Sequence, residues 1–250
     1  MKIPRVFVSP HSITGRAVTF PRREAHYLRD VLRLVPGDQV QVLDGDRVHV
    51  VRLTRSDREE VCAEVISSRG QGDREGLDIT LAFGCVRPGP FQEILRHGTE
   101  LGVRRFVPVI ARRTVRRPER RKERWEHVIA SAASQSRRTI LPLMESPVDL
   151  EGLIASKGDS QTRLVLSPDA AARPLLESLE HEHPQALLLL VGPEGGFDKS
   201  EEKRAVEQGF KRVGLGPGIL RTETAAVVAV GVCVAWFHRT CFGDLRIPGH

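Results

Sequence analysis

The chain has 250 residues, 40% of them apolar and 28% charged, enough for a substantial core in one large domain or two modest ones. Its four cysteines, Cys62, Cys85, Cys233 and Cys241, form no C-x-x-C pair and adjoin no histidine cluster. That argues against a disulfide framework or a structural zinc and for a reducing, cytoplasmic setting.

The opening MKIPRVFVSPH carries no apolar core of signal-peptide length. Residues 1–70 then read as strands: RVFV, AVTF, DQVQVLDG, DRVHVVRL and EVCAEVIS alternate and break on Gly, Asp and Ser. One helical pattern, REAHYLRDVLRL, interrupts them with Ala25, Leu28, Val31 and Leu32 on one face, and Pro36-Gly37-Asp38 ends it. The expectation is a small β-barrel of about five strands with basic residues along its helix. The polar, glycine-rich SSRGQGDREG at 67–76 reads as a linker, so the domains are expected at 1–70 and 77–250.

From there strand and helix alternate. LDITLAFG, RRFVPVIA, RLVLSP, ALLLLVGP and KRVGLG read as strands. PFQEILRHGTELG, PERRKERWEHVIASAASQS, RPLLESLE and SEEKRAVEQG read as helices. Strands that are apolar throughout imply an α/β domain, its parallel sheet covered on both faces. Within this stretch, residues 104–124 hold ten basic and two acidic residues, and nine of the ten are arginine. The net charge of the whole chain is +6, so this segment carries all of the excess. Arginine's planar fork suits phosphate, which points Arg116, Arg117, Arg120 and Arg121 toward a nucleic acid. The chain closes on AAVVAVGVCVAWF at 225–237, thirteen apolar residues. A bilayer helix needs about 20, so this reads as a buried helix, not a membrane span.

Two loops at expected strand ends draw the chemistry together. GPEGG and LGPG fit neither G-x-G-x-x-G nor G-x-x-x-x-G-K-[ST], so a phosphate cradle is not indicated. Glycines let a backbone approach a flat ligand and bond its edge. Leu215, Ile219 and Leu220 could pack on the ligand's faces. Such a pocket suits adenosine better than ATP, and ligands of parallel sheets bind at the carboxyl ends of the strands.

GPEGGF (192–197), LGPGILRTETAA (215–226) and TELGVRRFVPV (99–109) resemble the hallmark motifs of the ribosomal RNA small subunit methyltransferase E family, which methylates a uridine at N3. The resemblance extends to RW at 124–125, SQSRR at 134–138, LSPDA at 166–170, FGDL at 242–245 and HYLRDVLRLVPGD at 26–38. It implies a SPOUT-type parallel sheet with a C-terminal trefoil knot, preceded by a PUA-like RNA-binding barrel. It also implies S-adenosylmethionine on Leu166, Gly192, Glu194, Gly196, Leu215, Gly216, Ile219, Leu220 and Thr222, with no metal. The implied partners are 16S ribosomal RNA in the assembled small subunit, touched by Arg138 as well as the basic run, and a second copy packed through the last helix. The sequence departs from the family pattern at Pro90 and His97, where lysines are usual, at Ser134, usually glutamate, and at Gly218, usually arginine.

Methyl transfer to N3 of uracil requires removal of a proton at neutral pH. Glu223 is the candidate base, and Arg221 would stabilise the uracil anion or a phosphate. Glu223 reads equally well as a first-turn acid of a helix begun at Thr222. Two alternatives stay open: another SPOUT methyltransferase acting on a ribose or on transfer RNA, and a non-catalytic ribosome-assembly factor that binds RNA.

Overall fold

The computed structural model describes residues 3–44, 47–70, 76–114, 122–136, 138, 140–156, 161–169 and 171–242. Its contacts divide the chain into two units, one of residues 1–75 with 133–141, the other of residues 76–132 with 142–250.

In the first unit the chain runs through β1 (Arg5–Phe7), β2 (Ile13–Thr14), β3 (Ala17–Thr19), the short helix α1 (Arg22–His26), β4 (Gln39–Leu43), β5 (Arg47–Ser56) and β6 (Val61–Gly70). These six strands, one more than the sequence suggested, form one sheet in the order β1-β4-β5-β6-β3-β2, parallel only between β1 and β4. The additional strand, β2, is two residues long and too short to show an alternation. Along β4 and β5 the apolar alternation places Val40, Val42, Val51 and Leu53 in one core with Val18, Phe20 and Leu28. Register shifts mark one bulge in β6, where Ile66 is the extra residue opposite Val50 and Val51, and one in β5, where Thr54 is extra between Leu53 and Arg55. Such bulges bend a strand and let a small sheet curl around its core. This curled sheet answers to the small barrel expected from the strand pattern, which the family resemblance implies to be PUA-like.

The helix expectation needs one correction. Ala25 and Leu28 are buried and Leu32 is half-buried, but Val31 is 58% exposed. After α1 the helix widens into a π turn at Tyr27–Val31, where the Leu32 amide donates to the Tyr27 carbonyl at 2.9 Å. The extra residue in that turn rotates Val31 off the apolar face that a regular 3.6-residue period assigns it.

The second unit contains β7 (Asp78–Gly84), α2 (Pro88–Leu101), β8 (Arg105–Ile110), α3 (Lys122–Gln135), β9 (Leu143–Met144), β10 (Val148–Asp149), α4 (Leu150–Ala155), β11 (Thr162–Leu166), β12 (Arg173–Pro174), α5 (Leu175–Glu182), β13 (Ala186–Val191), α6 (Lys199–Glu207), β14 (Lys211–Gly214) and α7 (Thr222–Phe242). The last turn of α3 and the segment after it belong to the first unit, where Ala133 and Leu141 pack with Phe7, Leu43 and Val48. There the Ser134 hydroxyl donates to the Arg5 carbonyl at 3.2 Å. Every strand pair of the second sheet is parallel, in the order β10-β8-β7-β13-β11-β14-β12, with β9 beside β8. Residues 79–84 of β7 and 187–191 of β13 are buried without interruption, as strands covered on both faces must be. β14 inserts between β11 and β12, both of which precede it in the chain. The consequence for function is that β13, β11 and β14 lie side by side, so their carboxyl ends open on one edge.

α7 buries Ala226, Ala229, Val230, Cys233, Trp236 and Phe237 against α2, α5 and β7. Its other side is also apolar, with Val228 41% exposed and Val227, Gly231 and Val232 half-buried. No helix among the described residues is long and apolar enough to cross a membrane.

Candidate active site at the carboxyl ends of three parallel strands

β13 ends at Val191 and the chain turns at once. The Gly196 amide donates to the Pro193 carbonyl at 2.7 Å, closing a four-residue turn. Pro193 is seated against the end of β7, where a Cβ on Gly84 would lie 2.2 Å from the Pro193 nitrogen. Only glycine at position 84 allows that approach. The loop is braced from β8 as well, because the Arg113 guanidinium donates to the Gly195 carbonyl at 3.0 Å. Glu194 accepts from Arg87 at 3.1 Å.

α6 then starts on a capping box. The Asp198 carboxylate accepts from the Ser200 and Glu201 amides, and the buried Glu201 carboxylate accepts from the Asp198 amide. Arg112 ties this start to β8, its amide donating to Glu201 at 2.8 Å and its guanidinium to Asp198 at 3.0 Å. The Ser200 hydroxyl, then the Glu201 amide and Arg112, hold the Asp198 carboxyl well below the usual range.

Beside it, β11 runs out at Leu166. The buried Ser167 donates its amide to the Val213 carbonyl of β14 at 2.9 Å, and its hydroxyl accepts the Asp169 amide at 3.2 Å. From β14 the chain passes Leu215 to Gly216, whose φ of +118° is closed to ordinary side chains. It then runs through exposed backbone to α7, with Ile219 90% exposed.

These three loops enclose a cavity of about 740 Å³, within the range of small-molecule sites. Leu166, Gly192, Glu194, Gly196, Leu215, Gly216, Ile219, Leu220 and Thr222 all line it, so residues spread over some sixty positions meet in one place. Arg113, Ser167, Asp169, Lys199 and Lys203 line it too and were not foreseen. Arg113 follows a strand end, a position that gains meaning only when β8 is placed in the sheet. The SPD of LSPDA was the one local sign of Ser167 and Asp169.

Arg221 and Glu223 flank the cavity without lining it. Thr222 and Ala225, three residues apart on α7, present the lining face, and Glu223 stands about 100° round the helix. Among the described residues the side chains of Arg221 and Glu223 make no hydrogen bond or ion pair. Arg138 belongs to the first unit and is half-buried, its amide donating to the Ala133 carbonyl at 2.9 Å. Arg116, Arg117, Arg120 and Arg121 lie outside the described residues. Burial pushes the Cys85 and Cys233 thiols up to about 12, so neither supplies a thiolate at neutral pH. No group of three or more His, Cys, Asp or Glu side chains among the described residues is placed to hold a metal ion.

Comparison with known proteins agrees with this geometry. The model of the RNA methyltransferase domain family matches residues 73–234, and that of the RNA methyltransferase PUA domain matches residues 20–66. The ribosomal RNA small subunit methyltransferase E of Synechocystis sp. is 34% identical over 229 residues, 90% of this chain and 75% of the relative. That of Aquifex aeolicus is 33% identical over 223 residues, covering 87% and 94%. The crystal structure of the Neisseria gonorrhoeae enzyme of that name, bound to S-adenosyl methionine, superposes with a TM-score of 0.83 at 30% identity, over 96% of this chain and 98% of that one. With a catalytic-domain match over most of the chain and relatives above 30% identity along nearly all of it, the chain belongs to the ribosomal RNA small subunit methyltransferase E family.

Proposed function

We propose that the chain transfers a methyl group from S-adenosylmethionine to N3 of a specific uridine in 16S ribosomal RNA. The observation that carries this reading is the convergence of the loops after β11, β13 and β14 on one cavity. The residues fit the donor. At Gly196 and Gly216 the space a Cβ would enter is open, so main-chain groups can reach the edge of an adenine. Leu166, Leu215, Ile219 and Leu220 offer apolar contact to its faces.

When bound, S-adenosylmethionine supplies a methyl group already activated on a sulfonium sulfur. What remains for the chain is alignment and proton removal. The glycine loops, braced by Arg113 and Arg112, fix the donor's direction. Glu223 accepts the N3 proton and Arg221 balances the uracil anion. Neither side chain makes a hydrogen bond or ion pair among the described residues, and both adjoin Thr222, which lines the cavity.

The RNA is held by the PUA-like barrel, by Arg138 and by the basic run of residues 116–121. The proposal extends to an assembled small subunit as substrate, a cytoplasmic setting and a homodimer joined through the apolar outer side of α7. The insertion of β14 between two earlier strands supports a trefoil knot. Incubating the protein with isotope-labelled donor and unmethylated small subunits, then mapping the label, tests the reading. Label on a uridine N3 is expected. Label on a ribose or on transfer RNA would make it a different RNA methyltransferase, and binding without transfer would make it an assembly factor.

A further inference from the structure

The segment 27–35 of the barrel departs from regular structure in three ways that the core does not require. First, the π turn carries Val31 outward, so that Tyr27, Val31 and Val35 are 41%, 58% and 59% exposed within nine residues. Tyr27 is the chain's single tyrosine. Second, the helix ends on Arg33 with φ of +56°. The Leu34 amide donates to the Leu28 carbonyl at 3.0 Å, a helix-ending turn in which the left-handed position is normally glycine, because a Cβ there is disfavoured. Third, the Arg33 side chain is exposed and makes no hydrogen bond or ion pair among the described residues. Nothing among the described residues repays an arginine at that position. Its neighbour Asp30 is already taken up by Arg29 and His26, so the Arg33 charge is unmatched within the segment.

We infer that residues 27–35 form a contact for single-stranded RNA, with Tyr27 stacking on an unpaired base and Arg33 reaching a backbone phosphate. An exposed aromatic ring and an exposed guanidinium six residues apart supply the two kinds of contact that recognise unpaired nucleotides, and backbone strain of the Arg33 kind clusters at functional sites. The segment lies inside residues 20–66, which match the PUA domain of RNA methyltransferases. This inference rests on the RNA-directed reading above and adds which side chains of the barrel make the contact.

The test is binding of an unmethylated 16S transcript to the full chain across a salt series, beside urea unfolding of each variant. Arg33→Gly and Arg33→Asn both suit a left-handed backbone and remove the charge. Each is expected to unfold at a urea midpoint no lower than the parent, to bind about tenfold more weakly, and to lower the salt slope by about 0.7. Tyr27→Ala is expected to weaken binding about tenfold with the slope unchanged. Arginine variants that bind within twofold of the parent, or that lose affinity for assembled subunits but not for the transcript, overturn the inference, the latter in favour of a protein partner. A parent that binds the transcript but methylates no uridine N3 overturns the proposed function and leaves this contact standing.

Discussion

Gly216 shows how single residues set this site. Its φ of +118° lies where a Cβ is strained, and there is open space where that Cβ would go. Gly216→Ala therefore forces the loop to shift, at a cost of roughly 1–3 kcal/mol. Since about 1.4 kcal/mol is a factor of ten, donor affinity measured by calorimetry is expected to fall by about fivefold to a hundredfold. In the free protein the exposed loop relaxes to another path, so the cost falls on donor binding and the melting temperature changes little. For Glu223 two roles compete, proton acceptor and first-turn acid. Glu223→Gln is expected to slow methyl transfer by about a hundredfold or more with donor affinity nearly unchanged, and a variant keeping a tenth of the rate would leave Glu223 as a helix-end residue. The glycines were legible in the sequence because loops at strand ends leave a local signature. Arg113 was not, because its value comes from Gly195, eighty-two positions away and bonded to it.

Among the elements, α6 couples folding to the site. Its capping box sits directly after the GPEGGF turn, and Arg112 fastens it to β8. The Asp198 carboxyl is held below its ordinary value of 3.8, so its contribution is present above that pH and is lost as pH falls toward the lower folded-state value. Asp198→Ala is expected to melt below the parent by a constant margin between about pH 5 and 7, and the margin is expected to shrink below about pH 4. A margin independent of pH would show that only the neutral cap matters. Periodicity revealed the long helices and the buried strands, since β7 and β13 are apolar along their length. It missed α4, although Asp149 caps it and Leu150, Leu153 and Ile154 are its buried face, because six residues hold barely two turns of pattern. It misplaced Val31, because a π turn follows no 3.6-residue period.

For the whole molecule, alternating strand and helix announced a parallel α/β sheet, but not the order of its strands. That order depends on pairings between distant segments, and the insertion of β14 between β11 and β12 has no local signal. Nor does the attachment of residues 133–141 to the first unit, which rests on Ala133 and Leu141 meeting Phe7 and Leu43. The charge distribution makes a prediction at this scale. Replacing Arg116, Arg117, Arg120 and Arg121 together with alanine is expected to weaken RNA binding and to flatten its salt slope by about 3, and an unchanged slope would leave the run as solvated surface. The central claim is that loops from three neighbouring strands close on one methyl donor, and a crystal structure with S-adenosylhomocysteine tests it most directly. The account predicts the adenine between the 192–196 and 215–220 loops, bonded to main-chain groups. A ligand lodged outside the cavity, or those loops left without contact to it, would contradict the account.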